Sequence, residues 1–133
     1  MAANTTFQLA LYSADLQTDI LDLSVTNTMT SATNGGLLRI DLGLTADKTT
    51  LADEDQFNDT SKLFVYNAST NSGAASRIYV SFDGSSKHIT LFAGDWSMMP
   101  WTAKQVPHAG SASNIVAWAE TAGNTIEFGV FDQ

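Results

Sequence analysis

The chain contains no cysteine in its 133 residues, so neither a disulfide framework nor a thiolate metal site is available to it. That absence favours neither an oxidising nor a reducing compartment. Basic residues are also few: six Lys and Arg against 14 Asp and Glu give a formal charge of −8. A surface of that sign repels phosphate backbones and anionic headgroups, which argues against partnership with nucleic acid or an anionic membrane. No apolar run approaches the ~20 residues of a membrane-spanning helix. The opening Met1-Ala2-Ala3-Asn4-Thr5-Thr6 lacks the basic and apolar regions of a signal peptide. The expectation is a soluble protein made in a cytosol, with its acidity serving solubility. By length, residues 1–133 are expected to form a single domain that buries its core without staples.

Glu, Lys and Arg, the usual material of long surface helices, are scarce, while Ser, Thr, Asn and Gly are abundant. Strand-like runs fall at residues 7–11, 20–28, 37–44, 62–67, 77–82, 88–92, 113–119 and 125–131. Turn clusters separate them, among them Asn34-Gly35-Gly36, Asn71-Ser72-Gly73, Asp83-Gly84, Ala93-Gly94-Asp95 and Ala122-Gly123-Asn124. The pattern predicts an all-β antiparallel sandwich, jelly-roll-like, of about eight strands. Two hairpins stand out. Ile78, Val80 and Phe82 alternate before a turn, and Ile89 and Leu91 after it. Ile115, Ala117 and Ala119 alternate likewise, followed after a turn by Ile126, Phe128 and Val130. Residues 50–57 are the one candidate for a short helix, with Thr50 as its cap and Asp53-Glu54-Asp55 in its first turn.

Motifs for chemistry are scarce. His88 and His108 have no second ligand at metal-binding spacing. The cluster of Asp53, Glu54 and Asp55 with Asp47 and Asp59 lacks the glycine and terminal glutamate of an EF-hand loop, and reads as a solvated turn. Asp15, Asp19 and Asp22 show no ligand pattern. Gly-x-Ser-x-Gly, phosphate-loop and dinucleotide fingerprints are missing. Asn4, Asn58 and Asn67 begin glycosylation sequons, which chance supplies in a chain this rich in Asn, Ser and Thr. The expectation is a protein without catalytic residues, metal or cofactor. The segment Trp96-Ser97-Met98-Met99-Pro100-Trp101 is the candidate site, because so many large apolar groups belong in a core or against a partner. Pro100 cannot donate to a ladder, which places this segment at an edge or a strand exit. Trp118, within regular alternation, reads as core.

These features together carry a resemblance. The run LFVYNAST at residues 63–70 precedes a strand of Ile-Tyr-Val-Ser type at 78–81. The turn Leu91-x-x-Gly94-Asp95-Trp96 then leads to Pro100-Trp101, and IEFGVFDQ closes the chain at 126–133. In this order, over residues 60–133, the chain resembles small β-sandwich virion proteins of tailed bacteriophages, cyanophage and marine phage types included. The resemblance implies a capsid decoration (cement) protein: a homotrimer on the capsid exterior that stabilises the head by bridging major capsid protein subunits. Under that reading Trp96, Met98, Met99, Pro100 and Trp101 are the subunit or partner interface. Some cement proteins carry a long N-terminal arm, whereas only six residues precede Phe7, so arm exchange is not expected from the sequence. The alternatives are a tail, connector or fibre-base protein, or a carbohydrate-binding module that stacks sugars on Trp96, Trp101 or Trp118.

Overall fold

A computed structural model describes residues 3–13, 21–31, 37–57, 61–101 and 114–131. The protein is all-β. Its strands are β1 (Ala3–Ser13), β2 (Leu21–Ser31), β3 (Leu38–Leu42), β4 (Thr49–Ala52), β5 (Ser61–Asn67), β6 (Ile78–Ser81), β7 (Ile89–Leu91), β8 (Trp96–Trp101), β9 (Ile115–Ala119) and β10 (Asn124–Phe131). One sheet has the order β3-β10-β5-β8, and the other β4-β9-β6-β7. All neighbours are antiparallel. Successive strands from β3 to β10 switch sheets at every step except β6 to β7. That winding is the pair of interlocked Greek keys that defines a jelly roll. Among the described residues no helix is long and apolar enough to cross a membrane.

Strand alternation builds the core. In β5 the inward Leu63, Val65 and Asn67 are fully buried, while Lys62, Phe64 and Tyr66 face outward and are half-buried. Ile78 and Val80 of β6, Ile115 and Ala117 of β9, and Ile126 of β10 complete the inter-sheet layer with no exposed surface.

Three local expectations are corrected. The short helix over 50–57 is instead β4 followed by a single 3-10 turn, Glu54–Gln56. Its cap is Asp53, whose Oδ1 accepts from the Asp55 N–H at 3.1 Å; the β-branched Thr49 and Thr50 extend and pair with β9. The hairpin expected over 115–131 does not form, although its alternation is as read. β9 and β10 lie in different sheets, with β9 beside β6 and β10 between β3 and β5. Gly123, at φ +87°, makes the turn that carries the chain across. By contrast, β6 and β7 do pair as expected, with Ile78 opposite Leu91 and Val80 opposite Ile89.

The N-terminal region forms the third difference. β1 and β2 pair along eleven positions, from Ala3–Ser31 to Ser13–Leu21, in a sheet of their own. At about 3.3 Å per residue this ribbon is about 35 Å long. It meets the sandwich where Phe7 sets its ring edge-on to Phe131 of β10, centroids 4.9 Å apart. The strands expected at 7–11 and 20–28 are thus the middle of one longer hairpin outside the sandwich sheets, which takes in the stretch before Phe7.

Candidate functional site

A buried polar plug at one end of the sandwich sets the position of the Trp96 segment. Asn67, at the end of β5, is fully buried. Its side-chain amide donates to the carbonyls of Ser76 at 2.7 Å and Leu91 at 2.8 Å, and its Oδ1 accepts from the Ser69 N–H at 3.0 Å. Its backbone accepts from Gly94 and donates to Asp95, both at 2.9 Å. Asn124 does similar work beside it, donating to the Ala75 carbonyl at 2.8 Å and accepting from Asn71 at 2.7 Å. Asp95 closes its own turn by accepting from the Phe92 N–H at 2.9 Å, with Gly94 at φ +87°. The turn that launches β8 is thus tied to both sheets. Every polar group of Asn67 is used, which is what makes its burial tolerable.

From that anchor β8 runs along β5 as an edge strand, with its outer side unpaired in the sheet. Pro100 sits on this edge, where a missing N–H costs no ladder bond. The candidate segment divides by strand parity. Trp96 is 57% exposed, Met98 is half-buried and Pro100 is exposed, all on the outer face. Met99 and Trp101 point inward. Met99 packs against the core, and Trp101 is buried with its ring edge-on to Phe57 at 5.6 Å. The five residues are contiguous in sequence but do not form one surface.

The register of the first sheet assembles a different set. Arg39 lies opposite Glu127, Glu127 opposite Tyr66, and Tyr66 opposite Trp96. One straight row therefore crosses all four strands on the outer face. The Arg39 guanidinium donates to Glu127 Oε1 at 3.1 Å, an exposed pair that contributes little to stability. Phe64 and Met98, also opposite each other, form the next row. Tyr66, Trp96 and Glu127 lie in segments already noted in the sequence, but only pairings between distant strands bring them into one row with Arg39.

The outer face of the second sheet carries Tyr79 and Trp118 side by side, centroids 5.8 Å apart. Both are buried, yet neither belongs to the inter-sheet core. Lysines cover them instead, with Lys48 Nζ 4.7 Å from the Trp118 ring centroid and Lys87 Nζ 3.7 Å from that of Tyr79. The Trp118 indole N–H beneath this cover has no partner. Tyr79 donates to Glu120 at 2.6 Å, and this bond, aided by Arg77 and Lys87, holds the Glu120 carboxyl below its usual range against the opposing effect of desolvation. At the β6–β7 turn, Asp83 accepts from the hydroxyl and N–H of Ser86 and the N–H of Ser85, and these bonds hold its carboxyl far below the ordinary value.

His88 accepts from the Phe82 N–H and lies 3.9 Å from Asp83. Asp15, Asp19, Asp59 and His108 lie outside the described residues, among which no three His, Asp or Glu gather as metal ligands. Comparison with protein-family models, curated proteins and solved structures gives no match to this chain. The site has to be judged on its geometry.

Proposed function

We propose that this protein is a non-enzymatic structural protein of a bacteriophage virion, and specifically a capsid decoration protein that bridges major capsid protein subunits. The observation that carries this reading is the β1–β2 arm. A two-stranded ribbon in a sheet of its own is marginal in water by itself. This one nevertheless leaves Leu9, Tyr12, Leu23 and Val25 between 39% and 71% exposed. Exposed apolar side chains along such a ribbon suit a neighbouring subunit. One face of a ribbon about 35 Å by 10 Å offers roughly 350 Å². In a closed trimer a subunit that lends one arm and receives another would bury about 700 Å², shared between two interfaces at about 350 Å² a side, so the sandwich must supply the rest of the ~800 Å² per partner of a stable interface. A homotrimer closed by such exchange has no open end. The jelly roll, a fold shared by capsid proteins, lectins and cupins, is compatible with the role without selecting it.

Quantitative mass spectrometry of purified virions tests the assignment. Hundreds of copies per particle, lost together with head stability when the gene is deleted, are expected. Dozens of copies confined to the tail would replace the decoration role with a tail or connector role. Within the protein, Leu23→Ser with Val25→Ser should reduce the trimer to monomer in sedimentation while the sandwich keeps its urea midpoint.

A further inference from the structure

The outer row of the first sheet is not absorbed by an arm-mediated assembly, and its chemistry is mixed in a particular way. At one end Trp96 is 57% exposed beside the half-buried Tyr66. At the other, Arg39 and Glu127 form an ion pair with side chains 62% and 32% exposed. Each member stands directly opposite the next across antiparallel strands, so the row is continuous across the sheet and follows its twist. Aromatic side chains in one row with a donor–acceptor pair match the chemistry of a pyranose. The C–H-rich face of the sugar ring lies on an aromatic face, and its equatorial hydroxyls donate to a carboxylate and accept from a guanidinium. Strands spaced about 4.8 Å apart repeat at close to the length of one sugar unit, so consecutive units of an extended chain fall over consecutive strands. The ion pair is internally neutral, and the chain around it is acidic at −8, which disfavours sulfated or uronic polymers.

We infer that the row Arg39–Glu127–Tyr66–Trp96 is a binding surface for a neutral polysaccharide, with Trp96 as the stacking platform and the Arg39–Glu127 pair as the hydroxyl-reading end. The arm meets the same outer face at Phe131, four residues along β10 from Glu127, but touches no member of the row there, and the inference does not rest on the virion assignment.

The test is affinity electrophoresis of the full chain through gels containing hydroxyethylcellulose, dextran, yeast mannan or galactomannan, paired with tryptophan emission on titration of each polymer. Retardation by at least one polymer is expected, with a blue shift as Trp96 is covered. Trp96→Ala should weaken retardation by about tenfold, and Glu127→Gln by several-fold. Trp96→Phe should restore most of the loss, and Phe92→Ala, exposed but off the row, should leave it unchanged. The inference is overturned if none of the four polymers retards the protein, or if Trp96→Ala is retarded like the parent. It is equally overturned if Trp96→Ala instead lowers the sedimenting mass, which would make the row a protein contact.

Discussion

Replacing Asn67 with Ala should be among the most damaging single changes available to this fold. The side chain makes three hydrogen bonds from a position with no solvent access, two of them to carbonyls of segments that belong to the opposite half of the sandwich. Each net bond is worth about 1 kcal/mol, and each stranded buried partner costs a further ~1–3 kcal/mol. Ser69 is half-buried, and solvent can replace its lost acceptor in part. A loss of about 3–5 kcal/mol follows, a large share of the ~5–15 kcal/mol typical of a domain. Urea unfolding is the assay, with a lower midpoint and an unchanged slope. Asn67→Asp sharpens it. The Oδ1 contact to Ser69 survives, but a carboxylate would then face the Ser76 and Leu91 carbonyls, so its folded-state pKa must rise. A raised carboxyl pKa gives stability at low pH that is lost as pH increases. The deficit of Asn67→Asp relative to the parent should therefore widen from pH 4 to pH 7. A loss below about 1 kcal/mol for Asn67→Ala, with no pH dependence for Asn67→Asp, would refute the view that this plug holds the two sheets in register.

Other expectations follow from the same geometry. Trp101→Ala should cost about 3–5 kcal/mol in urea unfolding, whereas Trp96→Ala, exposed on an edge strand, should stay within about 1 kcal/mol of the parent. Asp83 and Glu120 have carboxyls lowered in the folded state, by serine donors and by Tyr79 respectively. Their stabilising contribution is complete above the unfolded values of about 3.9 and 4.3 and fades as pH falls toward the folded ones. Asp83→Asn should accordingly lower the urea midpoint at pH 7, with the gap to the parent closing below about pH 4. Lys48→Ala should make Trp118 newly accessible to acrylamide quenching, while Lys48→Met, which keeps the stem across the ring, should not.

Alternation was legible along the chain because a half-buried strand imposes it locally, as Leu63, Val65 and the outward Phe64 and Tyr66 show. What alternation cannot say is which strand lies next door. The inward residues of β9 and β10 read as one hairpin, yet the two strands are buried by facing each other across the core from opposite sheets. The same gap explains the site. Trp96 could be picked out by composition, but that Arg39 lies in its row depends on three pairings between strands far apart in sequence. Pro100 hid the regularity of β8, and with it the parity that sends Trp96 outward and Trp101 inward. In the sequence Asn67 reads as the end of a strand and the start of a sequon. Its burial became visible only with the Ser76 and Leu91 carbonyls in place.

The place of β10 in the first sheet bears on how the chain acquires its shape during synthesis. Among the described residues β3 has β10 as its one sheet neighbour, and Leu42 waits for Asn124 before it can pair. A ribosome therefore releases β3 and β5 long before the strand that joins them exists. Only β1–β2 and β6–β7 can zip locally in the meantime. Folding dominated by such distant closures is slow, and the inward faces of Leu63 and Val65 stay uncovered for its duration. The yield of native protein should then depend on growth temperature and chaperone supply more than its final stability would suggest.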